Sequence, residues 1–360
     1  MTAAKTAATS AATSALRAIV LCPGRGTYQR DSLGSLQGLS SPALQVFDQA
    51  RAAAGRPTPS ELDASPRFSP RQHVAGEHAS TLTAACSLAD LDQLDPDKIQ
   101  VVAACGNSMG WYTALGFAGA LPMEDCARLI DTMGWWQAAE EHGVVGGQVV
   151  YPMVDEQWRL DPARSAAVLA ALAAVPELYP SIHLGGQAVL GGTEAALAAA
   201  KEHLPTFEQG GLEFPLRLPL HSAFHTPLMA ATAARAAREL ADLGWRAPSI
   251  PLIDGAGRTW RPRWADPAAL RDYTLGPQVT QVFDFSAMLR TALGEYGADV
   301  VILPGPGSNL GGAVAQVMIA SGWQGLRGKD DFVDRQRSAR PLLLSLRWPD
   351  QRKLAVRQGA

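Results

Sequence analysis

Hydrophobic positions in this chain fall into short runs, separated by longer stretches with helical spacing. The run Ala18-Ile19-Val20-Leu21-Cys22 stops at Pro23-Gly24, Ile99 to Cys105 stops at Gly106, and Ala298 to Leu303 stops at Pro304-Gly305. Each reads as a strand buried on both faces and ended by a glycine-containing turn. Between them the apolar spacing predicts helices over Ala43 to Ala53, Gly110 to Gly119, Ala127 to Glu141 and Ala230 to Leu243. Apolar strands alternating with helices predict an α/β fold with a parallel sheet covered on both faces.

The middle of the chain has a different rhythm. Gln148 to Val154, Gln187 to Gly191 and Phe214 to Pro219 read as strands, and Pro162 to Leu172 and Glu194 to His203 as helices. This mixed order predicts a small α+β insert over 147–218. Residues 1–17, mostly Ala, Thr and Ser, read as a disordered tail. Residues 328–360 carry eight basic and four acidic side chains around Leu342-Leu343-Leu344 and read as a C-terminal extension with a solvated charged face. The remaining 18–146 and 219–327 form the core.

Composition narrows the function classes. With 47% hydrophobic and 18% charged residues over 360 positions, the chain can bury a large core. A net charge of -3 argues against a free-standing nucleic-acid binder. No apolar run approaches the ~18 residues of a membrane span, so a cytoplasmic protein without membrane contact is expected. Cys22, Cys86, Cys105 and Cys126 show no C-x-x-C spacing, and the seven histidines include no H-E-x-x-H. No metal site is expected, and the cysteines read as reduced, buried hydrophobes.

The segment from Cys105 to Leu115 carries the most chemistry. It places Gly106-Asn107-Ser108-Met109-Gly110 directly after an apolar strand and before a helix. That is the context of a nucleophile elbow, in which a sharp turn lifts a serine hydroxyl clear of the sheet. The amide of Met109, at a helix start, can stabilise a developing oxyanion. A serine hydroxyl needs a base. His221 and His225, four residues apart in one polar loop, are the candidates, and spacing alone does not choose between them. Gly305-Pro306-Gly307 after the third strand lacks the full G-x-G-x-x-G spacing, because position 310 is Leu, so no dinucleotide site is expected.

Taken together, these segments resemble the acyl carrier protein S-malonyltransferases and the acyltransferase domains of polyketide and fatty acid synthases. The family elbow G-H-S-x-G-E-Y-[ST]-A-L is matched by Gly106 to Leu115, and P-G-Q-G by Pro23-Gly24-Arg25-Gly26. F-H-S-P-L-M is matched by Phe224 to Met229, which selects His225. Gly186 to Gly192 matches G-Q-x-V-x-[SG]-G, and Gly305 to Leu310 matches G-P-G-x-x-L. The five matches run in order from about residue 18 to 320.

The resemblance implies an α/β-hydrolase-like core carrying Ser108 and a small ferredoxin-like subdomain. It implies an acyl-CoA donor, an acyl-Ser108 intermediate with His225 as general base, and the phosphopantetheine thiol of acyl carrier protein as acceptor, with no bound cofactor. It also implies an oxyanion region formed by Met109 and Arg25, and a backbone carbonyl orienting His225, which register before Phe285 places near Asp284. Substrate-binding positions fall at Asn107, Trp111 and Met133.

Four of these positions depart from the family pattern. Asn107 replaces His, Arg25 replaces Gln, and Trp111 replaces Glu. In Thr132-Met133-Gly134-Trp135-Trp136-Gln137, Met133 stands where dicarboxylate-using members carry an Arg. Burying a carboxylate without a cation costs several kcal/mol, so Met133 disfavours malonyl unless Arg25 swings into the cleft. The same fold also supports a thioester hydrolase or a non-catalytic binding relative, and the sequence leaves these open.

Overall fold

The computed structural model describes residues 15–136 and 146–357. Its strands in chain order are β1 (Leu16–Cys22), β2 (Ile99–Gly106), β3 (Gly147–Pro152), β4 (Leu178–Leu184), β5 (Gln187–Gly192), β6 (Phe207–Gln209), β7 (Leu212–Phe214), β8 (Leu216–Arg217), β9 (Leu252–Ile253), β10 (Thr259–Trp260), β11 (Val300–Leu303) and β12 (Leu343–Ser345).

The larger sheet has the order β10-β9-β2-β1-β11-β12, parallel throughout except for β10. Alternation along β1 divides the core. Val20 and Cys22 face helices Pro42–Ala53, Gly76–Leu91 and Met123–Trp135, whereas Ile19 and Leu21 face helices Phe285–Glu295 and Gly311–Ala320. Helix Gly76–Leu91 is buried on nearly every side, which explains why it shows little amphipathic spacing. All four cysteines are buried and unpaired.

The smaller sheet has the order β4-β5-β3-β8, antiparallel throughout. With helix Pro162–Ala174 between β3 and β4, and helix Glu194–His203 after β5, it forms the βαββαβ pattern of ferredoxin-like units. β6 and β7 form a separate ribbon. β4 had no signal in the sequence because Pro180 interrupts it. The fold tolerates this proline because β4 is an edge strand, with an irregular register between Pro180 and Ile182. Backbone bonds from His183 N to the Phe283 carbonyl at 3.0 Å and from Phe283 N to the Ser181 carbonyl at 2.9 Å fasten this edge to the larger unit.

Two expectations are corrected at the chain ends. The expected tail over 1–17 overlaps β1, which begins at Leu16; residues 1–14 lie outside the described residues. Arg17 hides the strand because it is polar. Its amide donates to Asp299 Oδ2 at 2.8 Å, and its guanidinium reaches the carbonyls of Gly297 and Tyr296. The extension over 328–360 is not only a charged surface segment. Leu342, Leu343 and Leu344 are buried, and β12 completes the edge of the larger sheet beside β11. The expected helix over Ala127 to Glu141 is seen as Met123–Trp135, and its last expected residues, from 137, lie outside the described residues. No helix among the described residues is long and apolar enough to cross a membrane.

Candidate active site

The ends of β1 and β2 are held together by the Cys22–Gly106 pair and by the Asn107 amide donating to the Cys22 carbonyl at 2.9 Å. Ser108 then turns into the left-handed region at φ +54° and helix Gly110–Phe117 begins. A non-glycine residue pays ~1–3 kcal/mol for such a conformation, so the surroundings must enforce it. They do so through close backbone approach. A Cβ on Gly106 would lie 2.1 Å from the Gly110 carbonyl oxygen, and one on Gly110 would lie 2.2 Å from the Cys22 carbonyl oxygen.

His225 is fully buried, at φ +61°, with its amide donating to the Val279 carbonyl at 2.8 Å. Its Nε2 lies 2.7 Å from Ser108 Oγ. Its Nδ1 lies 2.6 Å from the carbonyl oxygen of Gln278, in the short turn of helix Pro277–Thr280. A carbonyl only accepts, so Nδ1 carries the proton and Nε2 is bare toward the serine. Burial lowers the His225 pKa to about 4, against the opposing pull of the Gln278 carbonyl. The imidazole is therefore neutral near pH 7, as a base for Ser108 requires.

The orienting carbonyl is thus that of Gln278 and not that of Asp284. Asp284 instead caps helix Phe285–Glu295, accepting from Ala287 N at 2.7 Å, and pairs with His183 at 3.2 Å. An aspartate just before a helix is drawn to the free amides of its first turn. Gln278 had no signal because its contribution is a main-chain atom. Its side chain nevertheless fixes it in place, with Nε2 donating to the Ser108 carbonyl at 3.1 Å and Oε1 accepting from Tyr112 Oη at 2.8 Å.

Around the dyad lies a cavity of about 240 Å³ between the two sheets. Arg25, Asn107, Met109 and Met133 all line it, together with His221 and, from the smaller sheet, Val150, Ile182 and Val189. Met109 sits just ahead of the helix; the amides of Gly110 and Trp111 donate to the Asn107 and Ser108 carbonyls, whereas the Met109 amide has no such partner among the described residues. Met133 and Ile130 are buried on helix Met123–Trp135 and form an apolar wall. Arg25 is half-buried and donates from Nη2 to the Leu220 carbonyl. Burial lowers its pKa to about 10, which leaves it charged at neutral pH.

Trp111 is a correction. It does not line the cavity; it is fully buried behind the elbow, donating from Nε1 to Thr274 Oγ1 at 3.0 Å and meeting Tyr273 edge-on. A tryptophan in this apolar helix fills core volume where a glutamate would need a charge partner. Asn309 and Leu310 also line the cavity, from the loop after β11. That loop is fixed by Gly305 N donating to Asp90 Oδ2 at 2.6 Å and by Gly307, where a Cβ would lie 2.4 Å from the Thr27 carbonyl oxygen.

No family model matches the chain. Polyketide biosynthesis protein ThaF of Burkholderia thailandensis is 30% identical over 176 residues, 49% of this chain but 14% of that protein's length. Malonyl CoA-acyl carrier protein transacylase of Salmonella typhimurium is 26% identical over 255 residues, covering 69% of this chain and 77% of the relative. Among solved structures, the malonyl-CoA:acyl carrier protein transacylase of Xanthomonas oryzae superposes with a TM-score of 0.70 at 23% identity, covering 95% of this chain and 98% of that one. The chain therefore has the fold of the malonyl-CoA:acyl carrier protein transacylases and resembles them in sequence over more than two thirds of its length.

Proposed function

We propose that this protein moves an acyl group from a CoA thioester to the phosphopantetheine thiol of an acyl carrier protein through an acyl-Ser108 intermediate. The observation that carries this reading is the 2.7 Å contact of Ser108 Oγ with His225 Nε2, backed by the Gln278 carbonyl on Nδ1. His225 takes the hydroxyl proton as Oγ attacks the thioester carbonyl carbon. The tetrahedral intermediate places its negative oxygen toward the amides of Met109 and Arg25. Collapse breaks the C–S bond, and His225 returns the proton to the departing thiolate. The carrier thiol then gives its proton to His225 and attacks the acyl-serine, and the serine oxygen leaves with that proton.

The wall around Met133 fits an uncharged acyl group. Ile130, Met133, Val150, Ile182, Val189 and Phe224 line the cavity, no Lys, Asp or Glu does so among the described residues, and Arg25 is the charged side chain present. An apolar cavity of ~150 Å³ holds a benzene-sized molecule, so 240 Å³ leaves room for an aliphatic chain.

Intact-protein mass spectrometry with malonyl-, acetyl- and longer acyl-CoAs, with and without holo carrier protein, tests this reading. The expected result is an adduct that is absent in Ser108→Ala and passes to the carrier. An adduct that decays to free acid with carrier present would replace the transferase by a hydrolase. No adduct from any donor would remove the catalytic reading.

A further inference from the structure

A second cavity, of about 190 Å³, shares no lining residue with the Ser108 cavity. Its charged lining residues among the described ones are Asp90, Arg347 and Arg352. Two guanidinium donors of that wall, Arg347 Nε and Arg352 Nη2, are buried without a partner among the described residues. Buried polar groups are nearly always paired, and a charged donor is the costliest to leave bare. The backbone holds the two arginines together. Leu346 N donates to the Leu303 carbonyl at 2.9 Å and ties the end of β12 to β11. Trp348 N then donates to the Ser345 carbonyl at 3.1 Å, Arg352 N to the Trp348 carbonyl at 2.8 Å, and Ser345 N to Gln351 Oε1 at 2.7 Å, so the chain turns back on itself. Arg352 Nη1 donates to Asp90 Oδ1 and reaches the Leu346 carbonyl, next to Arg347, at 3.4 Å. Arg347 Nη2 donates to the Asp31 carbonyl. Each guanidinium is thus fixed through one nitrogen and keeps another buried and bare.

The charges specify a ligand. Asp90 is already engaged, with Oδ1 on Arg352 and Oδ2 accepting from Gly305 N at 2.6 Å. Burial pushes the Cys86 thiol well up, so this lining group stays neutral. Two arginines against one aspartate leave a net positive wall, and the bare atoms are both N–H donors. A cation or a hydrocarbon would leave those donors unmet, whereas an oxyanion offers lone pairs to both at once. The size agrees. A round cavity of 190 Å³ is ~7 Å across, close to the span of one oxyanion hydrogen-bonded at ~2.9 Å on two sides.

We infer that Arg347 and Arg352 form a second, non-catalytic site that binds a small oxyanion. The inference does not draw on acyl transfer and holds whether or not Ser108 is acylated. The site adjoins the active site through Asp90. The carboxylate that pairs with Arg352 also holds the Gly305 amide, and the loop that starts there brings Asn309 and Leu310 to the Ser108 cavity.

Isothermal titration of the full chain with phosphate, sulfate and acetate, at constant ionic strength in chloride, tests this. Phosphate and sulfate probe for a tetrahedral oxyanion and acetate for a carboxylate, and the tighter class names the ligand. Saturable binding of one equivalent is expected, weakened about fivefold or more in Arg347→Met and in Arg352→Lys. The lysine keeps a charge opposite Asp90 but has no second nitrogen for the ligand. A second readout uses wild type alone, so it stands even where a variant fails to fold. Saturating anion is expected to slow phenylglyoxal modification of Arg347 and Arg352, followed by peptide mass. Arg25→Met separates this site from the Ser108 cavity, where Arg25 Nη1 is also unpartnered, and is expected to bind the anion as wild type does. Binding lost in Arg25→Met and kept in the other two variants would place the anion beside Ser108 and overturn the inference. So would unchanged binding in both Arg347→Met and folded Arg352→Lys, no protection of either arginine, or no saturable binding of any of the three anions.

Discussion

Gln278 braces the serine and the histidine at once: its Nε2 donates to the Ser108 carbonyl at 3.1 Å, and its own carbonyl accepts from His225 Nδ1 at 2.6 Å. The elbow and the base are thus tied through one residue, which is further anchored by Tyr112. Gln278→Ala keeps the carbonyl but removes the brace and leaves buried polar groups unpaired, at about 1–3 kcal/mol each. The acylation rate is expected to fall ten- to hundredfold, with a lower melting temperature. Single-turnover acylation and thermal unfolding check this, and an unchanged acylation rate would show that the brace is dispensable.

Ser108 and His225 act as one unit, so their losses do not add. Ser108→Ala is expected to abolish the acyl adduct, and His225→Ala to slow its formation by a factor of about 10²–10⁴. The double variant is expected to be no worse than Ser108→Ala alone. A double variant that loses a further large factor in donor turnover would mean that His225 acts independently of the serine.

The depressed histidine sets the pH dependence. With a folded pKa of about 4, His225 is neutral and competent from about pH 5 upward, so the acylation rate is expected to be flat through pH 6–8 and to fall only as pH approaches 4. The stability linkage has the opposite sign from that of a salt-bridged histidine. Between about pH 4 and the ordinary value of ~6.5 the unfolded chain binds more protons than the native one, so stability rises with pH across this window and is lost as pH falls. The limiting slope is about 1.4 kcal/mol per pH unit for each such histidine. Urea unfolding at several values between pH 4 and 7 is expected to show this rise, and a shallower one in His225→Gln. A midpoint of activity near pH 6.5 would contradict the burial of the imidazole.

Gly110 is required by contact, since its Cβ would lie 2.2 Å from the Cys22 carbonyl oxygen. Both atoms belong to the backbone of packed elements, so neither can rotate away. Gly110→Ala is expected to destabilise by more than about 3 kcal/mol or to prevent soluble expression. Gly312→Ala, where a Cβ meets nothing within 4 Å, is the matched control and is expected to leave the melting temperature within a few degrees. Equal melting temperatures for the two variants would refute the contact argument.

What the sequence revealed depended on whether side chains or main chain did the work. Ala18 to Cys22 announces its strand because both faces are buried and every position is apolar, and in Ile99 to Gly106 only Gln100, exposed near the strand start, breaks the apolar run. The elbow was legible because the glycines flanking Ser108 are forced by backbone approach. β4 was hidden by Pro180 and β12 by its shortness within a charged segment. Asp284 was misread because a backbone acceptor has no side-chain signature, and the nearest acidic residue served a helix end instead. Trp111 was misread because a large aromatic next to a nucleophile can face either the cleft or the core, and a partner such as Thr274, 163 positions away, is not visible from local spacing.

Met133 gives the sharpest test of acyl preference. It lies 2% exposed in the apolar wall of the cavity, on the helix that also contributes Ile130. A carboxylate seated against Met133 loses its hydration, and Arg25 is the one Arg or Lys lining the cavity among the described residues; out of its reach the penalty is several kcal/mol. Met133→Arg supplies a charge-assisted, bidentate partner and removes that penalty for a dicarboxylate while making the wall hostile to an alkyl chain. In a competition of equimolar malonyl- and butyryl-CoA, wild type is expected to acylate mainly with butyryl, and Met133→Arg to shift the malonyl-to-butyryl ratio upward by at least tenfold. Because the readout is a ratio, loss of part of the protein to misfolding does not change it. A wild-type preference for malonyl, abolished by Arg25→Met and untouched by Met133→Arg, would instead place the carboxylate at Arg25 and contradict the apolar-wall argument.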